Sequence, residues 1–406
     1  MKKLNKFFAV LVALAMMATL CVSMAFAVDK DATGDDLPAG YQASDATLYK
    51  VVEVPNASVT PADDATYTFS ITAGTSDTVS ADQMNAAIKN ATFSLTEGEM
   101  DDGTATDSNN KVHYTRVGSQ VIKNLFDFSS KVPGEYVYTI KETGHTAGTK
   151  DDASYTEVFT DDTTTTYEVH LYVDNTGNVT NVTIVKGDEK IESKVTDPTK
   201  IDPTDPEGAT IVNKYERKLD TGKDPEGEDL TNGVLSVTKS VPGTQGDKTQ
   251  QFKFLIKLDA PATETATAAT PTWSSNLGTK PVSIPYGVET EFTLADGETL
   301  SFAALPAGVT YKITENLAGS DHANNYFAKM DAGTEGAAGA NVDTGSVVLN
   351  EVAATNNHSV TNRFDETKTT PTGILISNLP YIVLALVAIG GLVAYVVVRR
   401  RNADEA

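Results

Sequence analysis

Two glutamates end strand-like runs in which every second residue is apolar. Glu142 ends the run 136–142 and Glu315 ends the run 309–315, and tyrosine, isoleucine or valine precede each glutamate at even spacing. Side chains two residues apart on a β-strand point to the same face of the sheet. Both carboxyl groups are therefore predicted to face a core, where a carboxylate is costly unless it is paired or neutral.

Two lysines and two asparagines lie on similar runs, and they stand near the ends of the same two halves of the chain. Lys50 and Lys239 come early in the first and second halves, and Asn213 and Asn362 come late. Each is in phase with apolar neighbours two residues away. The first and last strands of a β-sandwich are often neighbours, so each half is predicted to bring one Lys, one Glu and one Asn together.

Such a buried trio can form a covalent bond. Desolvation lowers the pKa of a lysine and raises the pKa of a glutamate, so both groups tend to be neutral. A neutral amine is a nucleophile, and a protonated carboxyl group can polarise the asparagine carbonyl and then move protons. Attack with loss of ammonia would leave an intramolecular isopeptide bond, with Glu142 and Glu315 each acting once.

An alternative interpretation is that these are edge residues whose charged ends reach water. A single lysine or glutamate on an apolar face is usually of this kind. The order Lys–Glu–Asn occurs in both halves, however, and this repetition favours the bond-forming interpretation.

The elements that must position these residues are strands throughout. Period-two alternation in runs rich in Thr and Val indicates half-buried strands, and the fold class is predicted to be all-β. A stretch rich in Asp, Glu and Gly at 218–232 is interpreted as a linker. Two β-sandwich domains are therefore expected, at 40–217 and 233–365.

The N-terminus predicts export. Residues 1–27 combine a basic start, a short apolar run and the exit Ala25-Phe26-Ala27, which is typical of a secretory signal peptide. The only cysteine is Cys21, inside that segment. The mature chain from Val28 would therefore contain no disulfide, so covalent reinforcement of another kind is expected.

The C-terminus predicts membrane insertion of the precursor. The uncharged apolar segment 379–398 matches the ~20 residues that a spanning helix needs. The basic residues 399–401 follow directly and predict a cytoplasmic end. The region 366–406 is therefore interpreted as a tail, and the bulk of the chain is expected outside the cell.

Charge and motifs weigh against several classes of function. The chain has 55 acidic and 32 basic residues, a net charge of −23, so nucleic acid is not an expected partner. The five histidines are scattered, and no metal-ligand spacing, cofactor motif or catalytic motif occurs. An enzyme acting on an outside substrate is the rival class of function. We expect no enzyme activity, no cofactor and no metal site.

The chain resembles the two-domain backbone pilins of Gram-positive bacteria, of the streptococcal T-antigen type. The run 235–243 resembles the opening strand of that family, 311–315 its middle strand and 360–362 its closing strand. This resemblance implies immunoglobulin-like (CnaB-like) sandwiches. It also places the family's Lys, Glu and Asn at the six positions already singled out: Lys50, Glu142, Asn213, Lys239, Glu315 and Asn362.

The resemblance extends to the tail. Thr370-Pro371-Thr372-Gly373 is similar to a short sortase sorting signal, although it lacks the Leu and the spacer residue of the commoner L-P-x-T-G form. A sortase would cut between Thr372 and Gly373 and pass the Thr372 acyl group to an amine. Sortase, peptidoglycan, minor pilins and other copies of the chain are therefore expected partners.

The acceptor lysine in this family lies late in the first domain. Lys190 is the favoured candidate, and Lys186, Lys194 and Lys200 occupy the same stretch. The expected function is a structural subunit of a pilus shaft, located extracellularly in the cell wall or pilus. The alternative is a monomeric sortase-anchored surface protein or adhesin, which would need no acceptor lysine.

Overall fold

The computed structural model of the protein describes residues 44–149, 155–219, 233–321, 323–350, 353–368 and 371–404. The predicted signal peptide (1–27), residues 220–232 of the predicted linker and Thr370 of the sorting motif lie outside the described residues. The prediction of an all-β fold is confirmed, since strands dominate the described chain up to residue 364.

The first half of the chain forms two sheets. Its strands are β1 (Thr47–Val54), β2 (Thr66–Ala73), β3 (Thr92–Thr96), β4 (Asp101–Thr106), β5 (Val112–Val121), β6 (Gly134–Thr146), β7 (Tyr155–Thr160), β8 (Thr166–Val173), β9 (Val179–Lys186), β10 (Glu189–Ile191) and β11 (Ala209–Leu219). One sheet has the order β11-β1-β5-β4, with β7 also paired to β11, and the other has the order β10-β9-β8-β6-β2-β3. A short helix, α1 (Ala81–Asn85), lies between β2 and β3.

The second half repeats this layout with shorter strands. They are β12 (Leu235–Ser240), β13 (Phe252–Asp259), β14 (Ala268–Ala269), β15 (Thr272–Trp273), β16 (Ile284–Pro285), β17 (Thr290–Leu294), β18 (Thr299–Phe302), β19 (Leu305–Pro306), β20 (Thr310–Glu315), β21 (Tyr326–Met330), β22 (Val342–Asp343), β23 (Val347–Val348) and β24 (Asn357–Phe364). One sheet has the order β15-β18-β12-β24-β21. The facing sheet has the order β17-β13-β20-β22, with β23 also paired to β20, and β14 and β16 form a separate ribbon.

In each half the first strand pairs with the last strand, and the pairing is parallel. Lys50 of β1 lies opposite Ile211 of β11, and Lys239 of β12 lies opposite Val360 of β24. Parallel neighbours need a long connection between them, and here that connection is nearly the whole of each half. This arrangement brings residues far apart in sequence onto adjacent positions of one sheet.

The facing sheet supplies the third position. On β6 the buried side chains alternate as the sequence predicts, with Tyr136, Tyr138, Ile140 and Glu142 all buried. On β20 the same alternation buries Glu315. These strands contribute to a core of aromatic and aliphatic side chains between the two sheets, so each glutamate faces the strand pair that carries the lysine and the asparagine.

One short strand joins the two halves. β19 of the second half pairs with the end of β11, with Lys218 opposite Pro306 and Leu219 opposite Leu305. The Ala307 N–H also donates a hydrogen bond of 2.7 Å to the Arg217 carbonyl. The first two residues of the predicted linker therefore continue β11 and contact the second half.

A long helix, α2 (Pro371–Asp404), ends the described chain and contains the segment 379–398. Among the helices that the structure describes, none has both the length and the apolar character needed to cross a membrane. The segment 379–398 lies within this helix, and its membrane insertion stays a prediction.

Candidate functional site

The first candidate site joins Lys50 on β1, Asn213 on β11 and Glu142 on β6. The Lys50 Nζ donates to Glu142 Oε2 at 2.7 Å, and the Asn213 Nδ2 donates to Glu142 Oε1 at 2.6 Å. One carboxyl group thus bridges the amine and the carboxamide. The arrangement can move a proton from the lysine nitrogen to the asparagine nitrogen through a single side chain.

Burial sets the electrostatics of this site. Lys50, Glu142 and Asn213 each have an exposed fraction of 0%, so the alternative that Lys50 reaches water is wrong. Burial lowers the pKa of Lys50 to about 8, although the nearby Glu142 carboxylate opposes that change. Burial also raises the pKa of Glu142, against the attraction of Lys50. Both shifts favour a neutral amine beside a neutral acid.

The second candidate site has the same parts in the second half. Lys239 on β12, Glu315 on β20 and Asn362 on β24 are again 0% exposed. The Lys239 Nζ lies 3.2 Å from Glu315 Oε1, and the Asn362 Nδ2 donates to the same oxygen at 2.7 Å. Burial lowers the pKa of Lys239 to about 8 and raises the pKa of Glu315.

The two sites share one register. In each parallel pair the asparagine comes two residues after the residue opposite the lysine, because Lys50 faces Ile211 and Lys239 faces Val360. An aromatic ring also lies beside each amine, with the Tyr67 centroid 5.2 Å from Lys50 Nζ and the Phe252 centroid 4.6 Å from Lys239 Nζ. The structure therefore brings together all six residues that the sequence singled out, in two equivalent sets.

The four candidate acceptor lysines lie between the end of β9 and the start of β11 in the first half. Lys190 is half-buried on β10, and Lys186 is exposed at the end of β9. Lys194 is paired with Asp45 at 2.7 Å, and Lys200 is paired with Asp197 at 3.0 Å. Their assignment as acceptors stays a prediction.

Sequence reasoning missed three residues around Asn213. The Asn213 Nδ2 also donates to Asp161 Oδ1 at 2.9 Å, and the Asp162 N–H donates to Asn213 Oδ1 at 2.9 Å. His145 contacts Asp161, with Nδ1 2.7 Å from Oδ2. Asp161 and Asp162 directly follow β7, and only the pairing of β7 with β11 brings them to Asn213. No local sequence pattern predicts this contact with Asn213.

Comparison with known proteins identifies proteins of similar sequence. Residues 233–363 match a family described as a domain of unknown function, DUF7601. The chain is 26% identical over 302 residues to a protein named pilin from Streptococcus pyogenes serotype M1, which covers 72% of this chain and 77% of that protein. It is 38% identical over 81 residues to the pilus tip adhesin Cpa of Streptococcus pyogenes, which is 20% of this chain and 11% of that protein.

Solved structures of similar proteins include the major pilin of Streptococcus pyogenes, with 18% identity, a TM-score of 0.28, and coverage of 80% of this chain and 98% of that chain. Another is the major pilin T-13 of the same species, with 18% identity, a TM-score of 0.26, and coverage of 80% and 100%. The resemblance to streptococcal pilins drawn from the sequence motifs is confirmed by the curated relative, which matches nearly three-quarters of the chain.

Proposed function

We propose that this chain is a structural subunit of a sortase-assembled pilus shaft on a Gram-positive cell surface, in which a Lys–Asn isopeptide bond closes each of two β domains. The observation that carries this proposal is the occurrence of two fully buried Lys–Glu–Asn sites in the same register. The similarity to a streptococcal pilin supports a structural role, and both curated relatives are named for pili.

The domain organisation is part of the proposal. We place the domains at 40–217 and 233–365, joined by the linker 218–232, of which Lys218 and Leu219 continue β11. The sheets support this division, because among the described strands only β19 pairs with a strand of the other half. Each domain then contains one complete site.

The bond would form by attack of the neutral Lys50 Nζ on the Asn213 Cγ. The new Nζ–Cγ bond replaces the Cγ–Nδ2 bond, and Nδ2 leaves as ammonia. One proton must leave Nζ and one must reach Nδ2, and Glu142 contacts both nitrogens. In the second domain Glu315 would move the proton between Lys239 and Asn362 in the same way. The folded sheets hold the reactants in contact, and this proximity supplies much of the rate.

Burial without reaction would be costly. Moving a lysine and a glutamate out of water costs several kcal/mol per ion, and their mutual attraction repays this only with good geometry. In the second site Glu315 Oε2 and Asn362 Oδ1 are buried without a hydrogen-bond partner among the described residues. A reaction that converts the amine and the carboxamide into one neutral amide removes the charged state whose burial is expensive.

The bond would also stabilise each domain. It would join the first strand to the last strand across their parallel pairing, and it would close a long loop of the unfolded chain. Closing a loop of roughly 100 residues stabilises a fold by about 4.7 kcal/mol in the chain-entropy description. A pulling force applied at the two ends of a domain would pass through the cross-link.

Export, anchoring and polymerisation complete the proposal. The signal peptide 1–27 would direct secretion, and the segment 379–398 would hold the precursor in the membrane until a sortase cuts after Thr372. The Thr372 acyl group would then pass to a lysine of another copy, with Lys190 favoured over Lys186, Lys194 and Lys200. Minor pilins and peptidoglycan would be the remaining covalent partners, and the finished protein would lie in the cell wall or pilus.

A monomeric wall-anchored adhesin is the second candidate, since part of the chain is similar to a pilus tip adhesin. The two functions differ in polymerisation. Wall extracts from cells with an active cognate sortase should contain ladders of high molecular weight that survive boiling in detergent. Thr372→Ala should abolish them, and a single wall-linked species in the wild type would favour the adhesin.

A further inference from the structure

The carboxamide of Asn213 is held on more sides than that of Asn362. Its Nδ2 donates to Glu142 Oε1 at 2.6 Å and to Asp161 Oδ1 at 2.9 Å, and its Oδ1 accepts from the Asp162 N–H at 2.9 Å. A backbone N–H can face only the carbonyl oxygen, and two carboxyl groups face the nitrogen as acceptors. These contacts therefore fix the orientation of the Asn213 carboxamide. Its oxygen accepts a hydrogen bond from the Asp162 N–H, and its nitrogen donates to Glu142 and Asp161.

Strand pairing and a β-bulge bring Asp161, Asp162 and His145 to Asn213. β7 pairs with β11 up to Thr160 opposite Lys214, so the turn that starts at Asp161 lies beside Asn213. On β6 the register shifts after Glu142, so that Glu142 lies opposite Phe69 and His145 lies opposite Tyr67. Phe69 and Tyr67 both face the core, so the extra residue turns His145 to the face of Glu142.

His145 in turn holds Asp161. Its Nδ1 lies 2.7 Å from Asp161 Oδ2, and its ring stacks on Phe159 with centroids 4.1 Å apart. The Asp162 carboxylate accepts hydrogen bonds from the backbone N–H groups of Thr164 and Thr165, which defines the turn. Both the acid and the backbone donor are thus held in place by further contacts.

The second site has no counterpart among the described residues. There the Asn362 Nδ2 donates to Glu315, and the Asn362 Oδ1 is buried without a hydrogen-bond partner. The two sites therefore share the Lys–Glu–Asn set and differ in what surrounds the reacting carboxamide.

We propose that Asp161 and the backbone N–H of Asp162 form an auxiliary catalytic element that accelerates cross-linking in the first domain only, with His145 as a positioning residue. This inference rests on the isopeptide bonds proposed above. The Asp162 N–H stabilises the negative charge that develops on Asn213 Oδ1 as Lys50 attacks, as an oxyanion donor does. Asp161 accepts a hydrogen bond from Nδ2 and orients the leaving group.

The atoms balance without any outside reactant. The Nζ–Cγ bond forms, the Cγ–Nδ2 bond breaks, and one proton moves from Nζ to Nδ2 through Glu142. Asp161 takes no part in this proton transfer and accepts a hydrogen bond from the departing nitrogen. Because the Asp161 and His145 side chains are 19% and 23% exposed, they also lie on a route from the buried site to water.

The test follows the two bonds separately in the full-length protein. The chain is made in a short cell-free pulse, and the cross-linked peptides Lys50–Asn213 and Lys239–Asn362 are quantified by mass spectrometry over time. For Asp161→Ala we expect the first bond to form at least ~10-fold more slowly, a modest value for loss of a polar group positioned at a transition state. The second bond should form at the wild-type rate and serves as the internal control.

A matched control uses another histidine–aspartate pair. In the second half, Asp331 contacts His358, and the distance from Asp331 Oδ2 to His358 Nδ1 is 2.7 Å. Asp331→Ala should leave both rates unchanged. His145→Ala should slow the first bond, and His145→Gln, which keeps a donor for Asp161, should recover part of the rate. Partial rescue separates positioning from general loss of structure.

The outcomes distinguish this inference from the isopeptide proposal on which it rests. If neither cross-linked peptide forms in the wild type, the isopeptide proposal fails. If both form in the wild type and Asp161→Ala forms the first bond at the wild-type rate, the auxiliary element is wrong and the isopeptide proposal stands. Equal slowing of both bonds would also overturn the auxiliary element, since the effect would then not belong to the first site.

Discussion

The Nζ of Lys50 lies 2.7 Å from Oε2 of Glu142, and both side chains are fully buried. The two residues lie on facing sheets, and the other oxygen of the same carboxyl group accepts a hydrogen bond from Asn213. A single acid thus contacts both nitrogens that exchange places in an amide-forming reaction. The equivalent contact between Lys239 and Glu315 in the second half makes each domain a control for the other.

Removing the bridging acid should stop one bond and leave the other. Glu142→Ala should cost the first domain its cross-link, because no other side chain contacts both Lys50 Nζ and Asn213 Nδ2 among the described residues. The intact mass should then show the loss of one ammonia instead of two. Glu315→Ala is the mirror experiment and should spare the first domain. A variant that still lost two ammonias would remove Glu142 or Glu315 from the mechanism.

Removing the electrophile should lower stability without leaving a lone buried charge. Asn213→Ala keeps the contact between Lys50 and Glu142 but cannot form the bond. We expect the free energy of unfolding of the first domain to fall by up to about 4.7 kcal/mol, the value for closing a loop of roughly 100 residues. Denaturant unfolding and protease resistance measure this, and Asn362→Ala should act on the second domain. Transitions identical to those of the wild type would contradict the cross-link.

The uncross-linked first domain should become more stable as the pH rises above about 8. Burial lowers the folded-state pKa of Lys50 from 10.5 to about 8, and in Asn213→Ala this amine stays unreacted and can titrate. Between these values the unfolded chain holds more protons at this lysine, so the free energy of unfolding rises with pH by up to about 1.4 kcal/mol per unit. The raised pKa of Glu142 has the opposite sign, since stability falls as the pH rises from its ordinary value of 4.5 towards the raised value.

The double variant Asn213→Ala with Lys50→Met is the control for this pH dependence. It removes the titration of Lys50, and it also removes the attraction by which Lys50 lowers the pKa of Glu142. The difference in unfolding free energy between the two variants should change between pH 8 and pH 10. A constant difference would mean that the pKa of Lys50 is not lowered in the folded state.

The acceptor lysine can be identified by charge-conserving substitutions. Lys190→Arg should abolish the detergent-resistant ladders, because a guanidinium group does not replace the amine that attacks the Thr372 acyl group. The same change at the three other candidates, Lys186, Lys194 and Lys200, should leave the ladders intact. Loss of the ladders with one of these and not with Lys190→Arg would move the acceptor to that position.

The inward direction of the reactive side chains could be predicted from the sequence. Period-two alternation gave Glu142 the phase of Tyr136, Tyr138 and Ile140, and it did so correctly because side chains alternate strictly along a regular strand. The pairing of first and last strands was also expected. Its parallel register, with Lys50 opposite Ile211, depends on how the two sheets pack and could not be read from either strand alone.

The surroundings of Asn213 could not be predicted in this way. His145 is out of phase with Glu142 in the sequence, and only the bulge on β6 places it on the same face. Asp161 and Asp162 resemble an ordinary solvated turn until β7 is paired with β11. The pairing of β19 with the end of β11 is likewise a contact between distant segments, which local patterns do not encode.

The most direct test of the central claim is the intact mass of a recombinant fragment of residues 28–372. The account predicts a mass lower than the calculated value by two ammonia molecules, with the losses located at Lys50–Asn213 and Lys239–Asn362. Loss of one ammonia would show that one of the two sites does not react. A mass equal to the calculated value would contradict the account, since both amines would then be unreacted in a folded protein.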